Sequence, residues 1–230
     1  MIHSFLMIGQ SNMAGRGRLG DVPAIENKKL FMLRNGRWWP LSEPVNYDRP
    51  FAGISLAASF ADGYAKRFDC DTGLIPCADG GTSLDEWACG GQLYTHAVYQ
   101  VRLAQKISEV KGILWHQGEA DSEDRKTAET YRDRFIKMIT TLRRDCGLEN
   151  VPLVLGELGS YLINYPKLSD GYFQIVNKQL AEIARTCPRT GLASAEGLTD
   201  NGDNLHFNAV SLREFGRRYF AKYLEITAKP

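Results

Sequence analysis

Short apolar runs alternate with amphipathic stretches along almost the whole chain. Residues 4–8, 30–33, 74–77, 112–115 and 152–155 read as strands, and 191–195 as a weaker one. Between them lie stretches with helical spacing. Residues 54–68 place Leu56, Phe60 and Tyr64 four apart, and 93–107 place Ala97, Val101, Ala104 and Ile107 on one side. Residues 127–142 line up Tyr131, Phe135, Met138 and Leu142; 173–184 form a further helix, and 209–224 a last one with Leu212, Phe215 and Phe220 inward. Asn35-Gly36, between residues 30–33 and Trp38-Trp39, predicts a hairpin. Strands alternating with helices imply a parallel sheet covered on both faces, here with one hairpin inserted early. Ligands of such sheets bind outside the carboxyl ends of the strands, so any chemistry should follow a strand directly.

Four such positions carry small, polar or titratable groups: Gly9-Gln10-Ser11-Asn12-Met13, Gly80-Gly81-Thr82-Ser83, His116-Gln117-Gly118-Glu119-Ala120-Asp121 and Asp203-Asn204-Leu205-His206. Ser11 at a strand-to-helix turn has two readings. It caps the helix, or it is a nucleophile whose proton a base removes, among free N–H groups that favour an oxyanion. Met13 replaces the second glycine of G-x-S-x-G, so the α/β-hydrolase elbow is disfavoured. Asp203 and His206, three apart, can meet in a turn, the acid holding one ring nitrogen and freeing the other as base. The competing reading is a solvated turn in which Asp203 or Asn208 caps the last helix. Gln117 can offer its amide to an oxyanion, and Glu119 can hold its loop or serve as an alternative acid near His206. Gly80-Gly81 suits a backbone N–H that approaches a substrate closely. Gly15-Arg16-Gly17-Arg18 reads as a mobile basic loop rather than a phosphate site, and no Walker or dinucleotide pattern occurs. Trp38, Trp39 and Trp87 fit either a sugar site or packing. His3 reads as strand filler and His96 as a helix-surface or packing residue.

Composition narrows the function classes. The 230 residues carry 28 basic and 27 acidic side chains, a net charge of +1, which disfavours a nucleic-acid partner. Hydrophobic residues make up 43% and charged residues 24%, as in a globular protein, and one domain over residues 1–230 is expected. No apolar run approaches the ~18 residues of a membrane span. No secretory leader is visible, which predicts a cytoplasmic protein, or a secreted one if a leader has been removed. The five cysteines fit no zinc spacing and are expected to be reduced and mostly buried. Glu119 and Asp121 have no histidine at ligand spacing, so neither metal nor cofactor is expected.

Together the four segments, with Trp87 and the full runs Gly9–Gly15 and Trp115–Asp121, resemble the SGNH hydrolase superfamily, and within it carbohydrate esterases of the sialate O-acetylesterase and acetylxylan esterase type. The matching pieces extend from residue 9 to residue 207. Where the wider superfamily usually has Asn in the third block, this chain has Gln117. The resemblance implies a three-layer α/β/α, flavodoxin-like fold with a five-stranded parallel sheet and a small extra hairpin. It implies Ser11 as nucleophile, His206 as base and Asp203 as its orienting partner. The N–H groups of Ser11 and Gly81 (or Gly80) and the Gln117 side chain would form the oxyanion hole, with Gln10, Gly80 and Glu119 in supporting positions. The function expected is a metal-independent, serine-dependent carbohydrate O-acetylesterase acting on an acetylated sugar such as a xylan fragment or a sialic acid. An esterase or thioesterase of lipid or other small acyl esters, and a non-catalytic carbohydrate-binding domain of the same fold, are the alternatives.

Overall fold

The computed structural model describes residues 1–228. In chain order the elements are β1 (Ile2–Gly9), α1 (Ser11–Ala14), β2 (Leu30–Arg34), β3 (Arg37–Pro40), α2 (Leu56–Phe68), β4 (Thr72–Pro76), α3 (Gln92–Ala104), β5 (Ser108–His116), α4 (Arg125–Glu129), α5 (Tyr131–Cys146), β6 (Leu153–Gly156), α6 (Phe173–Thr186), β7 (Thr190–Ala193) and α7 (Ala209–Ala228). One sheet runs in the order β3-β2-β4-β1-β5-β6-β7. Every pairing is parallel except that of β2 with β3.

The three-layer α/β/α class holds, but the sheet has seven strands rather than five with a separate hairpin. The hairpin joins the edge because β2 pairs in parallel with β4, Phe31 opposite Gly73. Gly73 makes room for the Trp38 ring, which lies 2.5 Å from where a Cβ would stand. β1 shows why both faces are covered. Leu6 and Ile8 enter the core shared with α3, α5 and α6, while Phe5 and Met7 enter the core shared with α2 and α7. That period-two division comes from the pleat. The helix expected over residues 127–142 is two helices. Asp124 caps α4 by accepting from the N–H groups of Lys126 and Thr127, and the chain breaks at Thr130. The freed Thr127 carbonyl accepts from Arg134 instead (2.7 Å).

All five cysteines are free; Cys77 and Cys146 are buried, Cys70 and Cys187 half-buried, and Cys89 is exposed. Trp87 is fully buried against Trp115, with ring centroids 5.6 Å apart, and its indole N–H donates to Thr82 Oγ1, so packing explains it. Among the described residues, no helix is long and apolar enough to cross a membrane.

Candidate active site

The turn after β1 is built by close backbone contact. Gly9 has φ +128°, and a Cβ there would lie 2.1 Å from the His116 carbonyl oxygen, so only glycine lets β1 run this tightly beside β5. Gln10 N–H donates to that same carbonyl (2.9 Å). The Gln10 side-chain oxygen accepts from the N–H groups of Gly118 and Ala120, fixing the loop after β5. Ser11 then opens α1, a single turn with no side-chain cap. Its Oγ is 3.1 Å from His206 Nε2 rather than turned back onto the helix.

The loop before α7 delivers the other two residues. Asp203 Oδ1 accepts the N–H groups of Leu205 (2.9 Å) and His206 (2.8 Å), and Oδ2 lies 2.7 Å from His206 Nδ1. Asn208 caps the last helix by accepting from Ser211 N–H (2.8 Å), so Asp203 is left to the histidine. Burial alone would push the Asp203 carboxyl up. The hydrogen bonds from His206 and Leu205 outweigh it and hold the group below its ordinary value. A continuous line thus runs from Asp203 through His206 to Ser11, residues brought together from positions some two hundred apart. It can accept and return a proton at Ser11 Oγ.

The line opens into a cleft of about 340 Å³ whose lining includes Gln10, Gly80, Gly81 and Glu119 beside Ser11 and His206. Gly81, at φ +79°, has nothing within 4 Å of where a Cβ would stand. Among the described residues, neither its N–H nor that of Ser11 has an acceptor within the protein. The Gly80 N–H is already bound to Asp48 Oδ2 (2.9 Å), which favours Gly81 over Gly80 as an oxyanion donor.

Gln117 stands elsewhere. Its side chain is fully buried, and its amide nitrogen donates to the Thr82 carbonyl (3.1 Å) and to Asp121 Oδ2 (2.6 Å). Both amide hydrogens are committed, so the expected side-chain oxyanion donor is corrected to a tie between two loops. The strand end carries Gln117 inward because Asp121, itself ion-paired with Arg134 (2.5 Å), draws the amide into the core. Burial raises the Asp121 carboxyl above its ordinary value even against these donors.

Glu119 touches Asn12 and His116, not His206. Its Oε1 accepts from Asn12 Nδ2 (2.5 Å) and lies 3.4 Å from His116 Nε2. It is therefore not the alternative acid for His206.

Two further parts carried too little pattern to be assigned a role in the sequence. Asn12 Oδ1 accepts from Phe207 N–H (3.0 Å) and its Nδ2 also reaches the Leu205 carbonyl (3.3 Å). One buried amide thus clamps the Ser11 turn, Glu119 and the His206 loop together. Replacing Asn12 by Ala is expected to lower kcat by up to about 10²-fold with KM little changed, because the groups it positions are misplaced rather than removed. Steady-state kinetics with a thermal melt checks this; unchanged kcat would show that the clamp does not position His206.

The second part is a pair of ion bridges behind the Gly80 loop. Arg16, expected in a mobile basic loop, is 8% exposed and holds Asp48 through both guanidinium nitrogens (2.5 and 3.1 Å). The glycines around it serve close packing: Gly17 sits against Ala209 and Gly15 against the carbonyls of Gly53 and Ile54. Arg49 pairs with Asp79 (2.8 Å) and donates to the Gly80 carbonyl (2.8 Å). Asp48 and Arg49 lie in a segment with no periodicity, so only proximity reveals them.

The family model for carbohydrate esterases of the sialic acid-specific acetylesterase type matches residues 1–225. A probable carbohydrate esterase from Arabidopsis thaliana is 29% identical over 96% of this chain and 89% of its own length. The solved structure of an Arabidopsis thaliana protein superposes with a TM-score of 0.86 at 27% identity, covering 97% of this chain and 98% of that one. NanS shares the fold, with a TM-score of 0.82 at 16% identity over 100% of this chain and 98% of that one. The chain belongs to the sialic acid-specific acetylesterase family of carbohydrate esterases, which are carboxylic ester hydrolases.

Proposed function

We propose that this chain is a serine-dependent O-acetylesterase of acetylated sugars that works through an acetyl-enzyme. The observation that carries the reading is the line Asp203–His206–Ser11 at the floor of an open cleft. Ser11 Oγ attacks the acetyl carbonyl carbon and passes its proton to His206 Nε2. The ionised Asp203 carboxylate holds Nδ1–H and stabilises the imidazolium that forms. The oxyanion of the tetrahedral intermediate is met by the N–H groups of Ser11 and Gly81. Collapse breaks the bond to the sugar oxygen, which takes the proton from His206 Nε2 and leaves as a hydroxyl. Water then attacks the acetyl group on Ser11, His206 accepting its proton, and acetate departs. No metal takes part in any of these steps.

The test is ester hydrolysis with EDTA present, on p-nitrophenyl esters of increasing chain length and on acetylated sugars. Turnover is expected to survive the chelator, to release acetate from the sugars, and to fall steeply beyond propionyl. Preference for long acyl chains would replace this reading with a lipid or thioester hydrolase. Sugar binding in a calorimeter with no acetate released would replace it with a binding domain.

A further inference from the structure

A second cleft, of about 560 Å³, lies back to back with the first. It is walled by the carboxyl end of β2, the residues after β4, and α3. The two clefts share one partition. Arg16 and Arg49 line the catalytic cleft, and their ion-pair partners Asp48 and Asp79 line the second. On the far wall Gln92, His96 and Gln100 repeat every four residues along one side of α3. Among the described residues, none of these three side chains makes a hydrogen bond to the protein, although every one ends in a donor or acceptor. Opposite them the Tyr47 ring is 61% exposed, with the Arg34 guanidinium 4.9 Å from its centroid.

We propose that this second cleft binds neutral sugar residues neighbouring the one that is deacetylated. Its size falls in the usual range for small-molecule sites. The chemistry is that of a hydroxyl-rich ligand: amides and an imidazole that both give and accept hydrogen bonds, beside an aromatic ring. The two carboxylates in the wall are ion-paired with their arginines, so they present no free anion, and the remaining cation of the lining, Arg34, lies over the Tyr47 ring. Its position outside the ends of β2 and β4, against the Gly80 loop, places it within one glycan chain of Ser11. The proposal rests on the esterase reading and extends it to substrate length.

The experiment compares kcat/KM on an acetylated monosaccharide with that on acetylated xylotetraose and mannotetraose. It uses wild type, Tyr47→Ala and the triple variant Gln92→Ala/His96→Ala/Gln100→Ala. Wild type is expected to gain tenfold or more on at least one tetrasaccharide. The variants are expected to lose that gain through KM, about three- to tenfold per side chain removed. Hydrolysis of p-nitrophenyl acetate should be unchanged in all of them, which shows that fold and ester chemistry are intact. No gain with chain length in wild type, or the same gain in the variants, overturns the proposal while the esterase reading stands. If p-nitrophenyl acetate is not hydrolysed at all, the esterase reading fails. NMR titration of the His96 ring signals with unacetylated xylotetraose and mannotetraose then decides the cleft: a saturable shift supports it, and no shift with either overturns it.

Discussion

Replacing Ser11 by Ala is expected to lower acetate release by about 10⁴–10⁶-fold while leaving the protein folded. Among the described residues, the Ser11 hydroxyl has one protein partner, His206 Nε2 at 3.1 Å, and its side chain faces the cleft. Its loss therefore removes the acyl acceptor without opening the core. His206→Ala is expected to fall in the same range, since an unassisted serine hydroxyl is a weak nucleophile at neutral pH. The double variant should be no worse than the poorer single one, because the two act as a unit. Acetate release by each variant, beside its melting curve, checks all three statements. A Ser11→Ala enzyme within tenfold of wild type would end the acetyl-enzyme mechanism, and losses that multiply would mean that serine and histidine act independently.

Replacing Glu119 by Ala is expected to cost about 2–4 kcal/mol of stability, about 1–3 kcal/mol for each buried polar partner left without its acceptor. For a domain of this size that is a fall in Tm of about 10 °C. Glu119 is 3% exposed and is held by Asn12 and His116, so its loss strands two buried polar groups. The same site predicts a pH dependence. Burial would push the Glu119 carboxyl up, but the hydrogen bonds from His116 and Asn12 more than offset this and set it below the ordinary 4.5. A carboxyl depressed in the folded state stabilises fully above its unfolded value and loses that contribution as pH falls through the folded one. Urea melts of wild type and Glu119→Gln should therefore differ most at about pH 7 and converge toward about pH 3. An equal gap at both pH values would mean that the ionised form is not what stabilises the site.

Hydrogen bonds between loops fix where the reactive residues sit. Gln10 fixes the loop after β5 and Gln117 ties that loop to Thr82. Asn12 joins the loop after β5, through Glu119, to the histidine loop. Each contact links segments that follow different strands, so the parallel sheet acts as the common base on which separate loops meet.

Much of this was open to reading in the sequence, for a specific reason. β1 alternates Phe5 and Met7 with Leu6 and Ile8, and α5 places Tyr131, Phe135, Met138 and Leu142 on one side, so local periodicity encodes the layers. The four polar segments after the strands followed from the rule that parallel sheets gather chemistry at one edge. Local pattern did not place β2 and β3 at the edge of the sheet, since that depends on Gly73 giving space to Trp38 across two strands. Nor did it separate α4 from α5, a break stabilised by Arg134 reaching back to Thr127.

At the candidate site the same division holds. The sequence alone determined the family and the strand–helix alternation, and it allowed Asp203 to meet His206, because a turn of three residues is a local fact. Only the tertiary structure decided that Gln117 points into the core while the Gly81 N–H stays free, that Arg16 is locked to Asp48, and that Glu119 holds Asn12 rather than His206. A polar side chain takes the partners that folding brings within about 3 Å of it. Those partners lie tens to hundreds of residues away in the chain, where no spacing rule reaches.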